Sequence, residues 1–400
     1  LNWQDEIEKF APDLNCVAIY GSAAARGYLM TQIHGCDIAV TSYDYLRRDI
    51  DELEKYEFET VILDEAQYIK NQKTKNALSV KRLKAKQRFA LTGTPIENSL
   101  AELWSIFDFL MPDYLYNYHY FQTHFEKGIV RENDEEKSKR LKQMIEPFIL
   151  RRTKKEVLKE LPDKIENTLV LDFSEEEKRL YLANLSQVNQ KLQSALQMEQ
   201  VDKIAILAML TRLRQICAEP RVLYENVNHP SSKLEGCMEL LETLRSSQKK
   251  TLLFSSFTSV LDLIEEECKR RHLNVLKLTG STSKEDRRSY VQRFQSGDVD
   301  VFLISLKAGG TGLNLTAAEA VIHYDPWWNL SAENQATDRA YRIGQNNRVQ
   351  VFKLIMKDSV EERMTELQKK KKDLADLFVE NNEGSLSKMS TEDLMKLFEI

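Results

Sequence analysis

Thr60-Val61-Ile62-Leu63-Asp64-Glu65-Ala66-Gln67 decides the fold. Apolar and β-branched residues run without a break into two adjacent carboxylates. A short continuous apolar run of this kind reads as a strand buried on both faces, the habit of parallel sheets. The carboxylates then sit at the strand's carboxyl end, where open α/β sheets bind ligands. Two neighbouring acids there can divide the work of nucleotide hydrolysis. Asp64 is the candidate to hold Mg²⁺ through water, and Glu65 to orient or deprotonate an attacking water. A plainer reading, a solvated strand-to-helix turn, stays open for the segment taken alone.

The pattern repeats outward from this point. Val17 to Tyr20, Asp37 to Thr41 and Arg88 to Leu91 are further β-like runs, separated by helical stretches. They define an α/β unit over residues 1–112. Residues 113–235 differ: no glycine occurs between Gly128 and Gly236, charge is dense, and apolar residues recur at three and four. This predicts a helical block, with at most a short strand at Leu169-Val170-Leu171. Over 236–366 the alternation returns, with strands expected at Thr251–Phe254, Val275–Leu278, Val301–Ile304, Ala320–His323 and Val349–Phe352. Helices are expected over 259–271, 283–295 and 333–341. A charged helical tail follows over 367–400. The fold class is therefore α/β, with two parallel-sheet lobes and helical insertions between them.

Three more segments follow strands and carry chemistry. Leu91-Thr92-Gly93-Thr94-Pro95 offers hydroxyls and a pliant backbone suited to relaying between a nucleotide and another site, or simply a tight turn. Ser305 to Asn314 holds Gly309, Gly310 and Gly312, which let backbone N–H groups approach phosphate oxygens. Gln335 to Gln345 places Gln335, Arg339 and Arg342 on one face if it is helical. A guanidinium grips phosphoryl oxygens bidentately and keeps its charge. The alternative is an ion-paired surface helix.

Composition limits the partners. Of 400 residues, 57 are basic and 62 acidic, so a bulk polycation is excluded and any nucleic-acid surface must be a local patch. Five scattered cysteines with no C-x-x-C suit a reducing compartment and argue against a disulfide scaffold or a zinc site; the expected setting is the cytoplasm of a bacterium, or the nucleus if the source is eukaryotic. No apolar run is long enough to span a membrane as a helix.

Together, in this order, the motifs resemble the motor core of the Snf2 (Swi2/Snf2) family within helicase superfamily 2. The likeness runs from Trp3 to about Glu366. Thr41-Ser42-Tyr43-Asp44 resembles a DNA-contact motif, Asp64 to Gln67 the Walker B box, and Leu91 to Asn98 motif III. Pro147 to Arg152 resembles the inter-lobe junction, and Leu253 to Phe257 motif IV. Thr279-Gly280-Ser281, Gly309 to Leu315, Tyr324 to Asn329 and Gln335 to Gln345 resemble the later motifs. Leu330 stands where proline is usual, and Tyr341 where histidine is usual.

The resemblance implies two RecA-like lobes, the first incomplete at its N-terminus, using ATP and Mg²⁺. It assigns Gln335, Gly310 and Gly312 to the nucleotide, and Arg339 and Arg342 to its γ-phosphate as arginine fingers. Thr41, Ser42, Thr279, Gly280 and Thr311 are assigned to double-stranded DNA. A monomeric translocase that remodels a DNA-bound protein is the implied role. No Gly-Lys dipeptide occurs anywhere in the chain, so it contains no G-x-x-x-x-G-K-[ST] phosphate loop. Family order places that loop upstream of Trp3, and the expectation is that the parent is an ATPase while these residues alone are not. A strand-separating helicase, or a non-catalytic nucleic-acid-binding or docking module, are the rival readings.

Overall fold

The computed structural model describes residues 2–93, 100–132, 134–150, 152, 157, 164–197, 203–297, 299–309, 313–327, 330–342, 345, 347–366 and 368. Contacts divide the chain into two units, Leu1–Arg151 and Arg152–Ile400.

In the first unit, Asn2–Phe10 (α1) precedes a run of strands and helices: Cys16–Ala18 (β1), Ala23–Thr31 (α2), Ile38–Val40 (β2), Tyr43–Leu53 (α3), Glu57–Leu63 (β3), Lys75–Arg82 (α4) and Lys84–Ala90 (β4). β1 pairs with β2 and β3 with β4, both parallel, as strand–helix–strand crossovers require. Ser22, Ser42 and Thr74 start the three crossover helices. Each side-chain oxygen accepts the N–H three residues on and so satisfies a donor the helix leaves over. Val17, Ile19, Leu46, Ile50, Leu63, Ile69, Val80 and Phe109 form the core, the last from Leu100–Leu110 (α5). Tyr118–Phe121 (α6), Lys127–Glu132 (α7) and Glu135–Ile145 (α8) build a second cluster on the other side of α5, around Trp104, Phe107, Phe121 and Phe125.

The basic stretch Lys81 to Arg88 is split between a helix and a strand. α4 stops at Arg82, Leu83 turns extended (φ −64°, ψ 134°), and β4 begins at Lys84. Cross-strand charge favours this register: Glu57 opposes Lys84, and Lys86 Nζ lies 2.7 Å from Glu59. Arg82 is held by Asp51 and Glu54, and Lys81 by Asp108. Much of the basic charge is therefore already neutralised by neighbouring acids.

The second unit is built on six parallel strands in the order β5-β10-β9-β6-β8-β7. They are Ile165–Leu171 (β5), Thr251–Ser255 (β6), Val275–Leu278 (β7), Val301–Ser305 (β8), Ala320–His323 (β9) and Gln350–Met356 (β10). β6, β8 and β9 are buried along their whole length, which is why they read as unbroken apolar runs. Ser232–Ser246 (α11) and Thr258–Arg270 (α12) cover one face, and Lys284–Ser296 (α13) and Leu330–Thr337 (α15) the other. Leu306–Gly309 (α14) follows β8 directly. Glu175–Gln197 (α9) and Lys203–Ala218 (α10) pack with the helix over residues 360–366 into a third cluster, through Tyr181, Leu185, Leu210, Leu213, Val360 and Met364.

β5 is the largest departure from the sequence reading. Residues 165–171, placed within a helical block, pair residue for residue with Gln350–Met356 at the edge of this sheet. As an edge strand β5 carries Glu166, Asn167 and Thr168 in succession between Ile165 and Leu169, so only its last three residues look strand-like.

One buried ion pair fastens the C-terminal side of the sheet. Lys233, in the first turn of α11, meets both carboxylate oxygens of Glu361 at 2.7 Å, with neither side chain exposed. The Met356 N–H, at the end of β10, donates to the same carboxylate at 3.0 Å.

Candidate functional site

In the first unit the carboxyl ends of β3 and β4 form one hydrogen-bonded cluster. β3 delivers Asp64 to the surface. One oxygen of its carboxylate accepts the Glu65 backbone N–H at 2.9 Å and the other accepts the Trp3 indole N–H at 2.8 Å. The Tyr43 hydroxyl donates to the Asp64 carbonyl at 2.9 Å. Burial, and then the nearby Asp64 and Glu65 charges, push the Tyr43 pKa upward, so the phenol keeps its proton and its role as donor.

Glu65 takes a left-handed backbone, φ 50° and ψ 54°, uncommon for a residue with a side chain. The conformation persists because its neighbours fix it. Leu91 N–H donates to Leu63 O and Ala66 N–H to Leu91 O, both at 2.8 Å, so β4 grips the chain on either side of the two acids. Strain of this kind, about 1–3 kcal/mol, collects at functional sites. Gln67 then joins the two strand ends. Its amide N–H donates to Glu65 at 2.6 Å and its carbonyl accepts from the Thr92 hydroxyl at 2.9 Å. The acids of one motif and the first hydroxyl of the next are thus wired together. Sequence reasoning missed this link, since Gln67 and Thr92 are 25 positions apart.

Among the described residues no group of three or more His, Cys, Asp or Glu side chains is placed to hold a metal. Magnesium commonly binds one or two carboxylates together with substrate phosphates and water, not a protein cage. Asp64 fits that use. It is exposed, and each oxygen, having accepted one hydrogen bond, retains a lone pair.

Thr41 and Ser42 sit at the carboxyl end of β2. The Thr41 hydroxyl donates to Ile19 O at 3.2 Å, which leaves it acceptor lone pairs and no proton for a phosphate. The Ser42 oxygen caps α3 by accepting from Tyr45 N–H, and its own proton is not used in that bond. Ser42 and the first N–H groups of α3 are therefore better placed to meet an anion than Thr41.

In the second unit Thr279 and Gly280 lie at the carboxyl end of β7. Thr279 and Gly280 form a turn before α13. Thr279 N–H donates to Thr282 Oγ1 at 3.0 Å and its hydroxyl shares a 2.8 Å bond with Ser281. The space where a Gly280 side chain would stand is open, so the backbone there is accessible. Gly310, Gly312 and Thr311 lie outside the described residues, as do Thr94, Arg151 and the tail beyond residue 368.

Gln335, Arg339 and Arg342 do not share one helix face. α15 ends at Thr337, and only Gln335 is helical. Beyond it the chain tightens. Arg339 N–H reaches Ala336 O at 3.2 Å, while the Thr337 carbonyl accepts from both Ala340 and Tyr341 at 3.1 Å. Arg339 O accepts from Leu315 N–H at 3.0 Å, which turns the segment toward the strand of chain following the glycine-rich loop. Gln345, buried, fixes the turn by donating to Thr316 O and Ala318 O at 3.0 and 2.8 Å. Arg339 is buried and Arg342 half-buried.

A buried polar network missed in the sequence joins α10 to this edge. Asp325 accepts from Ser255 Oγ at 2.6 Å, from the Ser256 N–H and hydroxyl, and from Arg214 at 3.2 Å. Arg214 also donates to Pro326 O at 2.9 Å and lies 5.2 Å from the Phe257 ring centroid. Trp327 is partly buried and packs against the core.

Comparison with known proteins agrees with this arrangement. The SNF2-related domain matches residues 1–222 and the helicase conserved C-terminal domain residues 232–344. An uncharacterized ATP-dependent helicase of Mycoplasma genitalium is 38% identical over 400 residues, covering 100% of this chain and 38% of that protein. The ISWI chromatin-remodeling complex ATPase ISW1 of Saccharomyces cerevisiae is 33% identical over 403 residues, covering 97% of this chain and 36% of that protein. The chain thus spans well under half the length of these relatives. Among solved structures, the SWI2/SNF2 ATPase core of Sulfolobus solfataricus in complex with dsDNA is 36% identical with a TM-score of 0.51, covering 100% of this chain and 84% of that one. The two strand-end clusters are thus those of RecA-like lobes, and the chain belongs to the SNF2-related family.

Proposed function

We propose that this chain supplies the greater part of the motor of an ATP-dependent translocase on double-stranded DNA. The observation that carries the proposal is the Asp64–Glu65–Gln67–Thr92 cluster, in which two acids at one strand end, Glu65 with a left-handed backbone, are wired to a hydroxyl at the next. The solved SWI2/SNF2 relative bound to dsDNA supports duplex DNA as the partner.

Asp64 would hold magnesium through water, and the bound ion would neutralise charge on the phosphates. Glu65, its carboxylate oriented by Gln67, would position the attacking water and take its proton. Gln335 would touch the nucleotide, and Arg339 and Arg342 would stabilise the charge that spreads over the γ-phosphoryl oxygens. Fixed guanidinium charges suit that task because they cannot be lost by deprotonation. The backbone of Gly310 and Gly312 belongs to the same reading.

Ser42 with the start of α3, and Thr279, Gly280 and Thr311, would contact DNA phosphates, giving binding with little sequence preference. Thr41 would act by holding the turn through Ile19. Lacking a Gly-Lys dipeptide, the 400 residues by themselves would hold ATP weakly and turn it over little.

The test is Glu65→Gln in the full-length protein. It should retain nucleotide and DNA binding while losing most duplex-stimulated turnover, by about 10²- to 10⁴-fold for a lost general base. Turnover within twofold of wild type would remove Glu65 from the chemistry.

A further inference from the structure

Phe254, His323 and Lys353 are register partners on three adjacent parallel strands, β6, β9 and β10. They form a row across one face of the sheet, and α15 lies over it. The helix meets the row with Glu333 and Thr337, one turn apart.

Every member is tied. His323 is buried, its ring stacked on Phe254 at 5.8 Å between centroids with 21° between planes. Its Nε2 lies 2.9 Å from Thr337 Oγ1. The Thr337 hydroxyl can also donate to Glu333 O at 3.2 Å, and in the tautomer that carries its proton on Nε2 the imidazole N–H then donates to Thr337. Burial lowers the His323 pKa, so the ring is neutral. The Glu333 carboxylate accepts from Trp327 N–H at 3.3 Å, and its other oxygen lies 2.5 Å from Lys353 Nζ.

Thr337 is the last helical residue. Its side chain is tied down to β9, and its carbonyl receives both Ala340 and Tyr341 N–H of the turn that carries Arg339 and Arg342. The place where α15 stops, and hence where the arginines start, is set at this one residue.

We propose that His323 and Thr337 are positioning residues for Arg339 and Arg342, their hydrogen bond fixing the helix end from which both arginines project. This rests on the reading that those arginines act on the nucleotide's phosphates. A buried polar bond in such a place gives direction as well as cohesion, because the N–H finds its acceptor in only one geometry.

Four variants test it: Thr337→Val, Thr337→Ser, the double variant His323→Phe with Thr337→Val, and Arg342→Ala. Amide hydrogen exchange is read on the 400-residue chain without nucleotide, and turnover and thermal midpoint on the full-length protein. Thr337→Val strands the buried imidazole Nε2. Exchange over residues 338–342 should quicken about tenfold or more. Turnover should fall about ten- to a hundredfold, as for a misplaced catalytic group, with KM for ATP little changed. Thr337→Ser should restore both. The double variant removes both polar partners and leaves no orphan. Its thermal midpoint should return to that of wild type while turnover stays low.

Recovery of turnover together with the midpoint in the double variant would make the pair mere core packing and overturn the proposal. So would Thr337→Val with unchanged exchange and turnover. Arg342→Ala separates the two layers. If it stays active, the arginine reading falls and the positioning role with it. If it is inactive while Thr337→Val is fully active, the positioning role alone is wrong.

Discussion

Lys233→Met is the perturbation for which the structure gives the clearest magnitude. Lys233 and Glu361 are both fully buried, with the ammonium bonded to both carboxylate oxygens. Removing the lysine leaves a buried carboxylate that, among the described residues, keeps the Met356 N–H as a donor and has no positive charge at bonding distance. Breaking one side of such a pair costs about 3–5 kcal/mol. At about 2–4 °C per kcal/mol for a unit of this size, the melting midpoint should drop by about 6–20 °C.

The loss should depend on pH, with a definite sign. Burial raises the Glu361 pKa even with Lys233 present, the lysine partly opposing it. A raised carboxyl pKa means that the protonated form is the better fit to the fold. The group's stabilising contribution is therefore full below its unfolded pKa and is lost as pH rises through the folded one. Without the lysine the folded pKa moves higher still. The deficit of Lys233→Met should then be largest at pH 8 and shrink toward pH 5. Lys233→Met with Glu361→Gln keeps an acceptor for Met356 and removes the orphan charge, so it should regain most of the midpoint. Thermal melts followed by circular dichroism at the two pH values decide the matter. A single-variant loss under about 1 kcal/mol, below the expected range, or a loss equal at both pH values, refutes the reasoning.

Three further outcomes are expected. Isothermal titration of the 400-residue chain with Mg²⁺-ATP should show weak or no binding, and a micromolar dissociation constant would contradict the role given to the absent Gly-Lys loop. Binding of the chain to duplex DNA should weaken as salt rises, the slope of log K against log salt changing by about −0.9 per phosphate contact; affinity flat from low to moderate salt would exclude a phosphate-based grip. Arg342→Ala in the full-length protein should cut turnover by about 10³- to 10⁵-fold while leaving nucleotide affinity nearly intact, and retention of a tenth of wild-type turnover would rule out the finger role.

What was legible in the sequence follows from where burial is complete. β6, β8 and β9, covered on both faces, show as unbroken apolar runs and were placed to within a residue. β5 was not, because an edge strand with one wet face carries polar residues between its apolar ones. The strand-end acids Asp64 and Glu65 were legible because their neighbours in sequence define their setting. The end of α15 was not. It depends on His323, 14 positions from Thr337, and on Leu315 reaching Arg339, contacts that no local period encodes. The use of the Thr41 hydroxyl on Ile19 was hidden in the same way.

The central claim, ATP-driven movement along duplex DNA, is tested most directly by displacement of a third strand. A triplex-forming oligonucleotide is placed on a blunt duplex and the full-length protein is added with Mg²⁺-ATP. The account predicts that the third strand is released only with hydrolysable ATP, that the duplex strands stay paired, and that Glu65→Gln abolishes release. Efficient separation of a forked duplex with no third-strand release would contradict it and favour a strand-separating helicase.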